Sequence, residues 1–286
     1  MSIRVVLVPV FGTEADKAAL GAACGLATHL EARLAALFVR IEPADIIPFV
    51  GEGVSPAVIE QLMKSAEDEM TREAGVADQA FTAACEQAGL PVVDAGDRQT
   101  RPAAHWSERA GRREDVIAAA AMLADLTVFA VHADSDDHMS VVEATLLGSG
   151  RPVLMVPPDW GRTIGERVAL AWNGRREAAL ALGASLELLE RASTVDVLTA
   201  ETASTSFEQT DALADYLMLQ GIACQRHALT PADQGVGAAL LKHAGELGSD
   251  LLVMGGYGRS RLSELVLGGV TRHVLAQATL PVMLAH

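Results

Sequence analysis

Short apolar runs alternate along this chain with longer stretches whose apolar residues recur at helical spacing. In the second half the pattern predicts strands near 167–172, 195–200, 223–228, 250–254 and 281–285, with helices near 175–191, 206–220, 233–247 and 270–278. Unbroken apolar runs bounded by turn residues fit strands buried on both faces, and their alternation with helices is the signature of βαβ crossovers in a parallel sheet. The first half follows the same order with one elaboration. Ser55 to Gly89 reads as a long charged helix, preceded by a loop from Pro43 to Gly53 that could fold over the first domain.

The two halves repeat one another. Val6–Gly12 answers Val168–Gly174, each an apolar strand ending at a glycine before an amphipathic helix, and Ala124–Ala130 answers Ser249–Gly255. Each half closes on a similar strand, Arg151–Val156 in one and Leu280–Ala285 in the other. Pro157 to Gly161 reads as a linker, stiff at its prolines. The fold class predicted is therefore α/β, with two fused doubly wound domains, 1–158 and 159–286. Each is a five-stranded, mostly parallel sheet with helices on both faces.

Composition narrows the function. Half of the 286 residues are hydrophobic and only 4% aromatic, which suits helices on buried parallel strands. The net charge of −15 is uneven: residues 1–158 hold 12 Lys and Arg against 23 Asp and Glu, residues 159–286 hold 10 against 14. An acidic chain without a basic run argues against nucleic acid or an anionic membrane as partner. Cys24, Cys85 and Cys224 are odd in number and far apart, so neither a disulfide framework nor a zinc site is expected. No run reaches the length of a membrane span and the start lacks a signal-like segment, so the expectation is a cytoplasmic protein.

The candidate chemistry lies near the C-terminus. The apolar run Leu251–Met254 breaks off at Gly255, Gly256 and Gly258, and Gly268 and Gly269 open a helix from about Val270 to Gln277. Glycines let backbone amides approach an anion without a Cβ in the way, and the amino end of a helix favours negative charge. The spacing of Gly255, Gly258 and Gly268 is neither the P-loop nor the dinucleotide fingerprint. It resembles the nucleotide-binding signature of the universal stress protein family, Gly-x2-Gly-x9-Gly-(Ser/Thr), with one departure. Gly269 stands where the family has a hydroxyl residue, and Thr271 lies close enough to replace it in part.

That resemblance implies ATP or another adenine nucleotide, with Mg as a companion ion, bound by the second half of a stress sensor or regulator. It also implies that residues 152–156 and 281–285 pair as an internal pseudo-dimer; whole chains could pair further, and a protein partner is expected. Site residues carried over are Asn173 at the end of the first strand, in place of an Asp, and Ala200 at the end of the second. Gly255, Gly258, Arg259, Gly268, Gly269, Val270 and Thr271 complete the set. Arg259 reads equally as a phosphate partner or a solvated loop charge.

The first half has lost the signature. Ala130 and Ala133 replace the first two glycines, Met139 falls near the place of Gly268, and Phe11 replaces the polar residue at the first strand end, so one competent site per chain is expected. The loop from His132 to His138 contains acids and two histidines, but it fails as a calcium loop because Met139 occupies the glycine place. A divalent ion would need the loop to fold back; a solvated acidic loop is the plainer reading. No nucleophile elbow surrounds Ser260, Ser263 or Thr271. Two rival functions remain: slow ATP hydrolysis, and an interaction module that binds a protein or small apolar ligand through the first domain with its cradle empty.

Overall fold

A computed structural model describes residues 2–41, 55–97, 99–131, 136–201, 210–231, 235–257 and 269–286. The chain forms two compact units, Arg4–Ser149 and Gly150–His286, the latter joined by Met1–Ile3. Both are α/β, as the periodicity predicted. The loop expected at Pro43–Gly53 lies outside the described residues.

The first unit contains β1 (Val5–Val10), α1 (Asp16–His29), β2 (Arg33–Arg40), α2 (Pro56–Ala88), β3 (Ala103–Ala110), α3 (Arg113–Ala121), β4 (Leu126–Ala130) and α4 (Asp136–Ser149). Its strands lie in the order β3-β2-β1-β4, all parallel, with Val6 opposite Leu34 on one side and Leu126 on the other. The helix α2 begins at Pro56, whose fixed φ and missing N–H suit a first turn. It stops at Gly89, where φ is +62° and the N–H reaches back to Cys85 and Glu86 carbonyls. Met70, Ala74, Ala77, Phe81 and Cys85, at three- and four-residue spacing, are buried, and Phe81 meets Trp106 of β3.

The second unit holds β5 (Val153–Val156), β6 (Arg167–Ala171), α5 (Arg176–Arg191), β7 (Thr194–Ala200), α6 (Asp211–Leu219), β8 (Gln225–Leu229), α7 (Gly235–Glu246), β9 (Leu251–Gly255), α8 (Gly269–Gln277) and β10 (Val282–Ala285). The order is β5-β10-β9-β6-β7-β8. All pairs from β10 to β8 are parallel, whereas β5 runs antiparallel to β10 with Val282 opposite Met155 and Leu284 opposite Val153. The closing strands of the two repeats thus pair, which covers apolar edges that would otherwise present unpaired backbone groups.

One device recurs in both halves. Asp125, just before β4, accepts the Arg4 and Val5 N–H groups at 2.8 and 3.0 Å. Its counterpart Asp250 accepts those of Gly165, Glu166 and Arg167 at 2.7, 3.1 and 2.9 Å. Each acid fixes the entry of the first strand of its repeat, β1 in one and β6 in the other. This sets the register that brings the carboxyl ends of β6 and β9 side by side.

Candidate functional site

In the second unit the chain runs outward from β6 through β7 to β8, then returns to the other side of β6 with β9. The crevice beyond the carboxyl ends of β6 and β9 is the switch point where open α/β sheets take ligands. Asn173 and Gly174 follow β6 there. Gly174 adopts φ +69°, a left-handed turn that favours glycine, and Gly12 of the first unit adopts φ +75° at the equivalent place. Asn173 Oδ1 accepts the Arg175 N–H at 3.0 Å, which secures the turn into α5.

Gly255 ends β9 opposite Ala285 of β10. A Cβ here would lie 2.6 Å from the Glu177 carbonyl carbon and 2.7 Å from the Ala178 nitrogen. Its need for glycine therefore comes from the first turn of α5 pressing on β9, a packing reason that the spacing could not separate from anion approach. Gly256 N–H donates to the Ala285 carbonyl at 2.9 Å, and His286 Nδ1 donates to the Gly256 carbonyl at 3.2 Å. Tyr257 then takes φ +59°, an uncommon conformation for a non-glycine residue that turns the chain out of the sheet.

Gly258, Arg259 and Gly268 lie outside the described residues. The chain is described again at α8, where Gly269 and Val270 are exposed and Thr271 is buried. Among the described residues, a Cβ on Gly269 would meet no heavy atom within 4 Å. Thr271 turns inward, and its Oγ1 accepts the Tyr257 N–H at 3.5 Å, a long bond that links the loop's two ends. Ala200 closes β7 opposite Leu229, almost fully buried. Asn173, Gly255, Gly269 and Thr271 are thus brought to one region of this unit, with Ala200 at the end of the neighbouring strand. Tyr257, Glu177 and His286 were not legible as site residues, since their parts depend on one backbone angle and two close approaches.

The first unit's matching edge, beyond β1 and β4, is filled by its own side chains. Asp16, 1% exposed, places Oδ2 3.0 Å from the Phe11 N–H and 2.9 Å from the Thr13 N–H. The Phe11 ring meets His138 edge-on with centroids 5.0 Å apart, and the Arg113 guanidinium lies over it at 5.4 Å. The buried His138 donates Nε2–H to the Ala130 carbonyl at 2.9 Å. The α2 helix closes the top: a Cβ on Gly12 would lie 2.6 Å from the Glu73 carbonyl oxygen. Glu73 pairs with Arg113 at 3.4 Å, and burial lifts its carboxyl above the ordinary glutamate range despite that cation. Of the acidic loop singled out in the sequence, 132–135 lie outside the described residues. No cluster of three metal-ligating side chains occurs among the described residues.

Residues 166–286 match the model of the Universal stress protein family. No curated protein matches the chain. Among solved structures, a universal stress protein from Archaeoglobus fulgidus aligns over 100% of this chain and 99% of its own, with a TM-score of 0.72 and 16% identity. A Pseudomonas aeruginosa protein, provisionally named a universal stress protein, aligns over 99% of this chain and 93% of its own, with a TM-score of 0.58 and 16% identity. At such identities the likeness is one of fold. None of the described helices is long and apolar enough to cross a membrane.

Proposed function

We propose that the chain is a universal stress protein, the family whose model matches residues 166–286, and that this half binds an adenine nucleotide and serves as a sensor or regulator. The observation carrying this reading is the convergence, at one switch point, of the Asn173 turn, the Gly255–Tyr257 exit from β9 and the amino end of α8. In this reading the polyphosphate lies against the backbone N–H groups at Gly269 and Val270, where the helix dipole favours an anion. Thr271, tied to Tyr257, holds the two ends of the glycine-rich segment in register. Asn173 and the backbone at Ala200 face the nucleoside, and Gly258, Gly268 and Arg259 complete the phosphate cradle. When bound, Mg would neutralise phosphate charge.

The first unit is proposed not to bind nucleotide, because Asp16 already supplies an anion to its turn amides and Phe11 fills the space beside them. Mass spectrometry of gently purified protein tests the reading. The expected result is co-purified adenine nucleotide that disappears in Gly258→Val. Protein that emerges empty, and that also ignores added ATP, ADP and AMP, would favour an interaction module instead.

A further inference from the structure

The long helix of the first unit extends beyond its packed part. Met70, Ala74, Ala77, Phe81 and Cys85 of α2 are buried, whereas no residue from Ala57 to Glu69 is. At 1.5 Å per residue that leading part is about 20 Å long. The apolar pattern does not stop where the packing does. Ile59, Met63, Ala66 and Met70 follow one another at spacings of four, three and four, in line with the buried Ala77 and Phe81, and Leu62 widens the same stripe. Leu62 and Met63 are 47% and 38% exposed, and Val58 beside Leu62 is 46% exposed. Single apolar residues on a surface are ordinary, but a continuous stripe along one helix face marks a place where another surface binds. The corresponding connection of the second unit, from β7 to β8, carries α6 of nine residues, so the repeat does not need the stripe in order to fold.

The rim of the stripe decides what fits it. By the helical period, Glu60 and Glu67 lie along one side and Glu69 along the other, while Lys64 falls on the far face. Glu69 pairs with Arg72; among the described residues Glu60 and Glu67 form no ion pair. A second copy would set acid against acid. Residues 1–158 hold 23 Asp and Glu against 12 Lys and Arg, and two such helices laid antiparallel would bring Glu60 against Glu67. An anionic lipid surface would meet the same repulsion. A helix with leucine-like residues on one face and Lys or Arg beside them satisfies both demands: its apolar side chains cover Ile59, Leu62 and Met63, and its cations meet Glu60 and Glu67. The unbranched Met63 adapts to the shape presented to it.

We propose that the leading part of α2 is a docking surface for a cationic amphipathic helix of another protein.

The test uses the full chain and a fluorescein-labelled synthetic peptide of leucine and lysine written at helical spacing. Fluorescence anisotropy should show one peptide bound per chain, more weakly as salt rises. Leu62→Ser combined with Met63→Ser should weaken binding about tenfold. Glu60→Gln combined with Glu67→Gln should weaken it about threefold and flatten its salt dependence. These four side chains lie outside the buried core, so both variants should keep the parent's circular dichroism and melting temperature. Two further readouts use the parent chain alone: hydrogen exchange should slow at residues 57–69 when the peptide binds, and a peptide of the same composition in scrambled order should bind about tenfold less. Equal binding of the scrambled peptide, binding indifferent to Leu62→Ser with Met63→Ser, or protection gained elsewhere would overturn the proposal. So would a dimer of the peptide-free chain that those two substitutions dissociate, since the occupant of the stripe would then be a second copy.

Discussion

The two strand-end crevices descend from one repeat and now differ in what occupies their backbone amides. In the first unit the Asp16 carboxylate takes two turn amides, Phe11 and His138 fill the space, and α2 sits on top. In the second, Asn173 braces the start of its own helix, and no described residue stands within 4 Å of a Cβ on Gly269. The left-handed glycine is retained in both, at φ +75° and +69°. In the first unit a built-in anion and an aromatic ring occupy this edge, while the turn geometry is kept because the strand-to-helix connection still requires it.

The largest expected effect comes from emptying the filled crevice. Phe11→Ala removes a ring that is 8% exposed, and should cost about 3 kcal/mol of stability in urea denaturation. It should not confer nucleotide binding, because Asp16 still holds the amides. A gain of binding would break the distinction between the two edges. Gly255→Ala acts on the open crevice by forcing a methyl group against the backbone of Glu177 and Ala178, a neighbour with no flexible end to yield. It should cost about 2 kcal/mol by overpacking, and nucleotide affinity should fall with it as α5 shifts.

Smaller effects distinguish the edges further. Thr271→Val keeps the buried shape but removes the hydrogen bond from the Tyr257 N–H to Oγ1, so about 1 kcal/mol of stability should be lost. Calorimetry should show weaker nucleotide binding, since the two ends of the glycine-rich segment are no longer tied. The smallest concerns Glu73. Its folded-state carboxyl is raised, so the protonated form is favoured in the folded chain, and its contribution is present at low pH and lost as pH rises through the folded value. Gln does not titrate. The stability of Glu73→Gln relative to the parent should therefore improve as pH rises from the acid side through the carboxylate range, and a constant difference would contradict this account of the cover.

Much of the fold was legible because buried parallel strands write themselves as unbroken apolar runs. β9 and β10 each fall within one residue of expectation at either end, and the closing strands pair as the family resemblance implied. The strand expected at 223–228 begins two residues later, at Gln225. β8 is an outer strand with Gln225, Arg226 and Ala228 exposed, so its apolar pattern is weak. At the candidate site, glycine spacing singled out positions but could not tell why each glycine is there. Gly255 answers to α5 and Gly174 to a left-handed turn, two causes that look alike in one dimension. The Asp16 carboxylate was invisible for a similar reason: an acid in the first turn of a helix is common, and only the fold puts it on Phe11 and Thr13.

Isothermal titration calorimetry with ATP, on the parent chain and on Gly258→Val and Phe11→Leu, tests the central claim most directly. The account predicts one nucleotide bound per chain, abolished by Gly258→Val and unchanged by Phe11→Leu. Two equivalents per chain, or binding that survives Gly258→Val and falls with Phe11→Leu, would place the ligand in the wrong half and contradict it.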